Sequence, residues 1–121
     1  MATLLVNAGK AIVTNRIKGS GTEPLYVAWG TGAGTTGATD TTLFTETGTR
    51  TSGTSTQQTT SVTNDTYQVV GTMTAGGTLA ITNAGTFDAS TSGNLFVKGD
   101  FSTINLSSGD SIQFTFKTQF S

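Results

Sequence analysis

The chain is predicted to be mainly β: an antiparallel β-sandwich with one N-terminal α-helix, in a single domain spanning residues 1–121. Three observations predict it. The 121 residues include 28 threonines and 16 glycines but one proline, a composition for extended, β-branched segments joined by glycine turns. Apolar residues between 67 and 120 alternate with polar ones at period two, the mark of strands with one covered face. Near the start the spacing changes to three, four and seven, the mark of a helix.

The helix is placed at 3–18. Leu4, Leu5, Ala8, Ala11, Ile12 and Val13 form its stripe, Thr3 is the candidate cap, and Gly19-Ser20-Gly21 stops it. Residues 24–120 make the sandwich. Pro24 opens an extended run, Leu25-Tyr26-Val27-Ala28-Trp29, which ends in the loop Gly30–Gly37. Thr42-Leu43-Phe44-Thr45 reads as a short strand or a pinned turn. Residues 45–64 have almost no apolar side chain and read as a polar hairpin or an arm that pairs with a neighbouring subunit.

The pattern then sharpens. Tyr67, Val69, Gly71 and Met73 share one face of a strand, and Ala75-Gly76-Gly77 turns the chain. Leu79 and Ile81 begin the next strand. Phe87 and the pair Leu95 and Val97 flank a turn at 90–94, and Ser107-Ser108-Gly109-Asp110 is a tight turn. In the last strand Ile112, Phe114, Phe116 and Phe120 face one way, while Gln113, Thr115, Lys117 and Gln119 face the other. Phe114 and Phe116 are expected in the core.

Composition argues against chemistry. There is no histidine and no cysteine, so the usual near-neutral acid–base group, the strongest nucleophile and the soft metal ligands are missing. The expectation is a protein that is not an enzyme and carries no cofactor and no metal. With six basic and seven acidic residues the net charge is −1, which gives nucleic-acid binding no electrostatic source. No run reaches the ~20 apolar residues of a membrane span, and Asn7 and Lys10 interrupt the apolar start, so neither membrane insertion nor a secretory signal is expected.

The weak motifs have plain readings. Gly32-Ala33-Gly34-Thr35-Thr36-Gly37 matches a dinucleotide fingerprint, but residues 38–63 offer no helix to receive a pyrophosphate. The acids Asp40, Asp65, Asp88, Asp100 and Asp110 sit in turn sequences, where a carboxylate caps backbone N–H groups. Asp88–Asn94 is the nearest candidate for calcium, yet it holds one acid. Trp29 with Tyr26 could form a glycan-binding platform; a single tryptophan among alternating apolar residues fits a core better. Lys10, Arg16 and Lys18 precede the first acid, Glu23, and with Arg50, Gln57 and Gln58 are the candidate subunit or partner interface.

The order of several short segments resembles small virion proteins of tailed bacteriophages: Asn7-Ala8-Gly9-Lys10-Ala11, Tyr26–Gly32, Tyr67-Gln68-Val69-Val70-Gly71-Thr72, Ala84-Gly85-Thr86-Phe87-Asp88, Gly93-Asn94-Leu95-Phe96, Gly99-Asp100-Phe101 and Gly109–Phe114. A related order occurs in the N-terminal domains of phage tail-collar fibres. A fibre adaptor is expected to continue into a shaft, whereas this sequence ends at Ser121 after its last strand. The resemblance therefore implies a capsid decoration, or cement, protein of the phage head. It implies a homo-oligomer, most often a trimer, made in the bacterial host cytoplasm and resident in the virion. Its partner would be the major capsid protein or other virion proteins, and the same resemblance allows a tail or fibre-attachment protein. It supplies no catalytic residues.

Overall fold

The computed structural model describes residues 2–121. Eight strands and one helix follow in order: β1 (Ala2–Leu5), α1 (Asn7–Lys18), β2 (Tyr26–Gly30), β3 (Glu46–Ser52), β4 (Thr54–Gln58), β5 (Thr66–Thr74), β6 (Leu79–Phe87), β7 (Leu95–Leu106) and β8 (Ser111–Gln119). They form two antiparallel sheets, a five-stranded one ordered β1-β7-β6-β2-β3 and a three-stranded one ordered β4-β5-β8. The β-sandwich with one N-terminal helix is thus the observed architecture.

Between the sheets lies the largest core cluster, in which Val27, Trp29, Ile81 and Ala84 of the wide sheet meet Val69 and Met73 of the narrow one. Leu5, Ile12, Phe96 and Val97 make a second cluster beneath α1. Tyr67 and Phe116 border both, so the helix continues the layer of the narrow sheet. The outer face of the wide sheet has its own apolar cluster of Val6, Ala28, Leu43, Phe87 and Leu95. A bulge supports this arrangement: Thr86 pairs with Val97 and Phe87 with Leu95, leaving Phe96 as the extra residue that turns under the helix.

The first residues differ from the helix expected at 3–18. Leu4 and Leu5 fit the helical stripe, but residues 2–5 pair as a strand with β7, Leu4 opposite Lys98. The helix begins at Asn7, after an extended Val6 that provides no side-chain cap, so Thr3 is not the cap. Of the predicted stripe, Ile12 is buried while Ala11 is exposed. Gly9 is buried as well because the helix meets β7 there; a Cβ would collide with the Phe96 carbonyl oxygen. Gly19 ends the helix in the left-handed conformation, as expected.

The segment 45–64 is neither a free hairpin nor an arm. Its first strand, β3, pairs with β2 at the edge of the wide sheet, and its second, β4, pairs with β5 at the edge of the narrow sheet. Gly53 carries the chain between the two, donating its N–H to Leu25 O at 2.7 Å. A Cβ at Gly53 would stand 2.6 Å from Val69 Cγ1, so the crossing requires glycine. Threonine-rich strands need no apolar face here, because backbone pairing to covered neighbours orders them.

Residues 42–45 form a pinned turn. The strand phases of β5 and β8 follow the expected alternation, yet Ile112, Phe114 and Phe116 are half-buried rather than fully enclosed, and Phe120 is 45% exposed. The narrow sheet ends at β8, so one flank of these rings has no covering strand.

Candidate interaction surface

Charge placement decides which polar residues are free to meet a partner. The six cations divide into those neutralised inside the fold and those that are not. Lys98 is fully buried on the outer face of the wide sheet, beneath the segment 31–45. Its Nζ donates to Asp40 Oδ2 and to Thr42 O, each at 2.9 Å, and lies 3.3 Å from the centroid of the Phe44 ring. Asn83 holds the same segment, accepting from Phe44 N at 3.0 Å and donating back to Phe44 O at 3.1 Å. Asp100 accepts from Thr36 N at 3.0 Å. Residues 31–45 are therefore a strap, tied down over the Leu43 and Phe87 cluster. The glycines 32–37 belong to this strap and lead into no helix.

Arg50, expected at an interface, is a structural residue. Its guanidinium pairs with both carboxylate oxygens of Glu46, donates to Ala89 O and Ser92 O, and stacks 3.6 Å from the Phe87 ring centroid. Among the described residues these two pairs, Arg50 with Glu46 and Lys98 with Asp40, are the ion pairs. Lys10, Arg16, Lys18 and Lys117 stand outside them.

The carboxylates serve turns. Asp65 accepts from the N–H groups of Val62, Thr60 and Ser61, which hold its carboxyl well below the usual range. The Gly37 N–H and then the Lys98 ammonium lower Asp40 in the same sense. Asp100 is lowered by Thr36, whose hydroxyl faces it and whose N–H donates to it. Asp88 is bound to Asn94 N and Nδ2, and Asp110 to Ser107 N. Both Asp88 oxygens are thus engaged within the loop that was the nearest candidate for calcium. Among the described residues no three His, Cys, Asp or Glu side chains form a group able to hold a metal ion. No helix among them is long and apolar enough to cross a membrane.

Of the remaining candidates, two share a groove. Lys10, Arg16 and Lys18 are exposed on α1, which carries no acid. Arg16 and Gln57 face each other across an open groove of about 490 Å³ between α1 and the end of the narrow sheet. Gln58 lies beside it but turns its amide to Thr56 Oγ1 at 2.9 Å. Tyr67 and Phe96 form the floor, their rings edge to face with centroids 5.8 Å apart. The Tyr67 hydroxyl donates to Glu23 Oε2 at 3.0 Å; burial, then the Glu23 carboxylate, pushes its pKa up, so it remains a neutral donor.

The rim is apolar and open: Ile17 is 82% exposed and Phe120 45%. Ile17 was missed in the sequence, although its spacing marks it. Five residues from Ile12 is about 140° around a helix of 3.6 residues per turn, so Ile17 leaves the buried stripe and stands between Arg16 and Lys18. Trp29 is 2% exposed and packs edge-on against Phe114 at 6.4 Å, so it offers no platform to a glycan.

A second apolar opening of about 450 Å³ lies along β8, where Phe101 and Ile104 of β7 meet Phe114 and Phe116. No family model, curated protein or solved structure matches this chain.

Proposed function

We propose that this chain is a non-enzymatic structural protein of a tailed-bacteriophage virion, a decoration or cement protein that binds the capsid lattice as a homo-oligomer. The observation that carries the reading is the rim of the α1 groove. Arg16 lines it beside the exposed Ile17 and Phe120, and Lys10 and Lys18 are exposed on the same helix; none of the three is in an ion pair, and the exposed apolar side chains add nothing to the fold. A surface of this kind fits a coat protein that presents acidic groups around an apolar contact. The resemblance in segment order supports the virion assignment, and the sandwich fold is compatible with it.

The interior fits a load-bearing role. Both sheets share the crossing at Gly53, and partly buried charge pairs fasten the strap and the β3 edge. A small domain without disulfides that must persist on a pressurised shell needs such ties.

Imaging of assembled particles tests the proposal. Density for this chain on the head lattice, with α1 toward the shell, is the expected result. Density confined to the tail would reassign it to tail or fibre attachment, and its absence from particles would end the virion reading. Arg16→Glu together with Lys18→Glu should weaken particle binding at least ten-fold while leaving the fold intact, because both side chains are exposed.

A further inference from the structure

We infer that β8 is a self-pairing edge, through which two copies of the chain join their narrow sheets about a two-fold axis at Thr115. The four sheet edges of the molecule differ in kind. β1 is four residues long. β3 is polar, contains the Glu46–Arg50 pair and is bulged against β2. β4 is five residues of Thr, Ser and Gln. Short, charged, bulged or wholly polar edges are the devices that prevent sheets from adding strands.

β8 has none of them. Nine consecutive residues pair with β5 in unbroken register, with no proline and no bulge, and the opposite edge is unpaired. Its single charge is Lys117. Behind that edge the cleft exposes parts of Phe101, Ile104, Phe114 and Phe116.

The strand is complementary to itself. Antiparallel pairing centred on Thr115, the midpoint of Ser111–Gln119, overlaps all nine residues. It sets Phe114 opposite the partner's Phe116 and Gln113 opposite the partner's Lys117. Residues directly opposite share a face, so apolar meets apolar inside and the ammonium meets an amide outside, with no like-charge contact. The two three-stranded sheets become one of six, and each copy closes the other's cleft. Main-chain hydrogen bonds supply the affinity, as in strand addition generally. β3 and β4 offer β8 no apolar inner face, and β1 is only four residues long.

Nine residues make an edge about 30 Å long. At the roughly 10 Å depth of a sheet layer that is about 300 Å² per partner, less than the roughly 800 Å² of a standard interface, so the pair is concentration-dependent, with half-association in the micromolar range. The pair serves the assembly role proposed above, and its existence is testable apart from it.

Sedimentation equilibrium from about 1 to about 200 µM tests it. Wild type should shift from monomer to twice the monomer mass. Thr115→Lys and Thr115→Glu, at an exposed position, should each keep the far-UV spectrum and melting temperature. Each should weaken association about five-fold or more, because equal charges would face across the axis. An equimolar mixture of the two should restore it. A wild type that stays monomeric, a trimer, an association indifferent to both charges, or a mixture no better than either variant would overturn the inference. Monomers that still decorate particles would overturn the pair and leave the virion assignment standing; a dimer that binds no particle would do the reverse.

Discussion

Lys98 Nζ lies 2.9 Å from Asp40 Oδ2, with the lysine fully buried and the aspartate reached by solvent over about a quarter of its side chain (23%). This asymmetry predicts an order of damage. Asp40→Ala strands a buried ammonium, and should cost about 2–3 kcal/mol, less than for a fully enclosed pair because water reaches the site. The melting temperature should fall by about 10 °C. Lys98→Met keeps the volume and leaves a carboxylate that water can solvate, so its loss should be smaller. Thermal melts of the two variants give the order directly, and the reverse order would mean that the lysine is not the group at risk.

Stability should be flat between about pH 5.5 and 8, because the chain has no histidine and no other side chain ordinarily titrates there. Asp40, Asp65 and Asp100 all have lowered pKa values in the fold. A depressed carboxylate stabilises above its unfolded pKa and loses that contribution as pH falls toward its folded one. The urea midpoint should therefore drop from about pH 5 downward, most steeply below about pH 4. Asp65→Asn should flatten this acid limb. A midpoint that changed near pH 6.5 instead would contradict the assignment.

Gly9→Ala ought to stabilise an isolated helix by about 1 kcal/mol. Here the methyl would meet the Phe96 carbonyl, and the expected result is a loss of about 1–3 kcal/mol through separation of α1 from β7. Gly76→Ala, with nothing within 4 Å of its Cβ, is the control and should be neutral. Chemical denaturation of both compares them.

Deleting residues 49–62 and rejoining the chain with Gly-Ser removes β4 and most of β3. It uncovers the edges of β2 and β5 at once, so the cooperative melt should disappear, rather than assembly alone being weakened. A deletion variant with a native-like melt would show that these strands are dispensable.

Legibility in the sequence followed the side chains. β5 and β8 could be read because large apolar residues alternate against Gln, Thr and Lys. β3 and β4 could not, since their order comes from backbone hydrogen bonds to β2 and β5, and Thr and Ser record no inward face. Leu4 and Leu5 misled because two adjacent leucines satisfy a helix stripe as well as a strand; pairing with β7 decides it. Lys98 and Asn83 were the larger omission, and Arg50 was assigned to an interface instead of the interior. Each looks like a surface residue alone, and each is made structural by partners 39–58 residues away. Of the expected interface residues, Arg16 and Gln57 line one groove and Lys10 and Lys18 are exposed on α1, while Phe120, expected to face inward, stands at the groove's rim.

The crossing at Gly53 gives the sandwich a bound spine, like a book. Along that margin one continuous segment belongs to both leaves, and they cannot part without tearing β3 from β2 or β4 from β5. At the opposite margin β7 runs into β8 through the turn 107–110, so the leaves are joined there at one end only. Beyond that turn β8 has no outer strand, and amide exchange should be fast along its open edge and in the second half of β7. The same looseness lets the fore-edge accommodate another molecule while the spine keeps its shape.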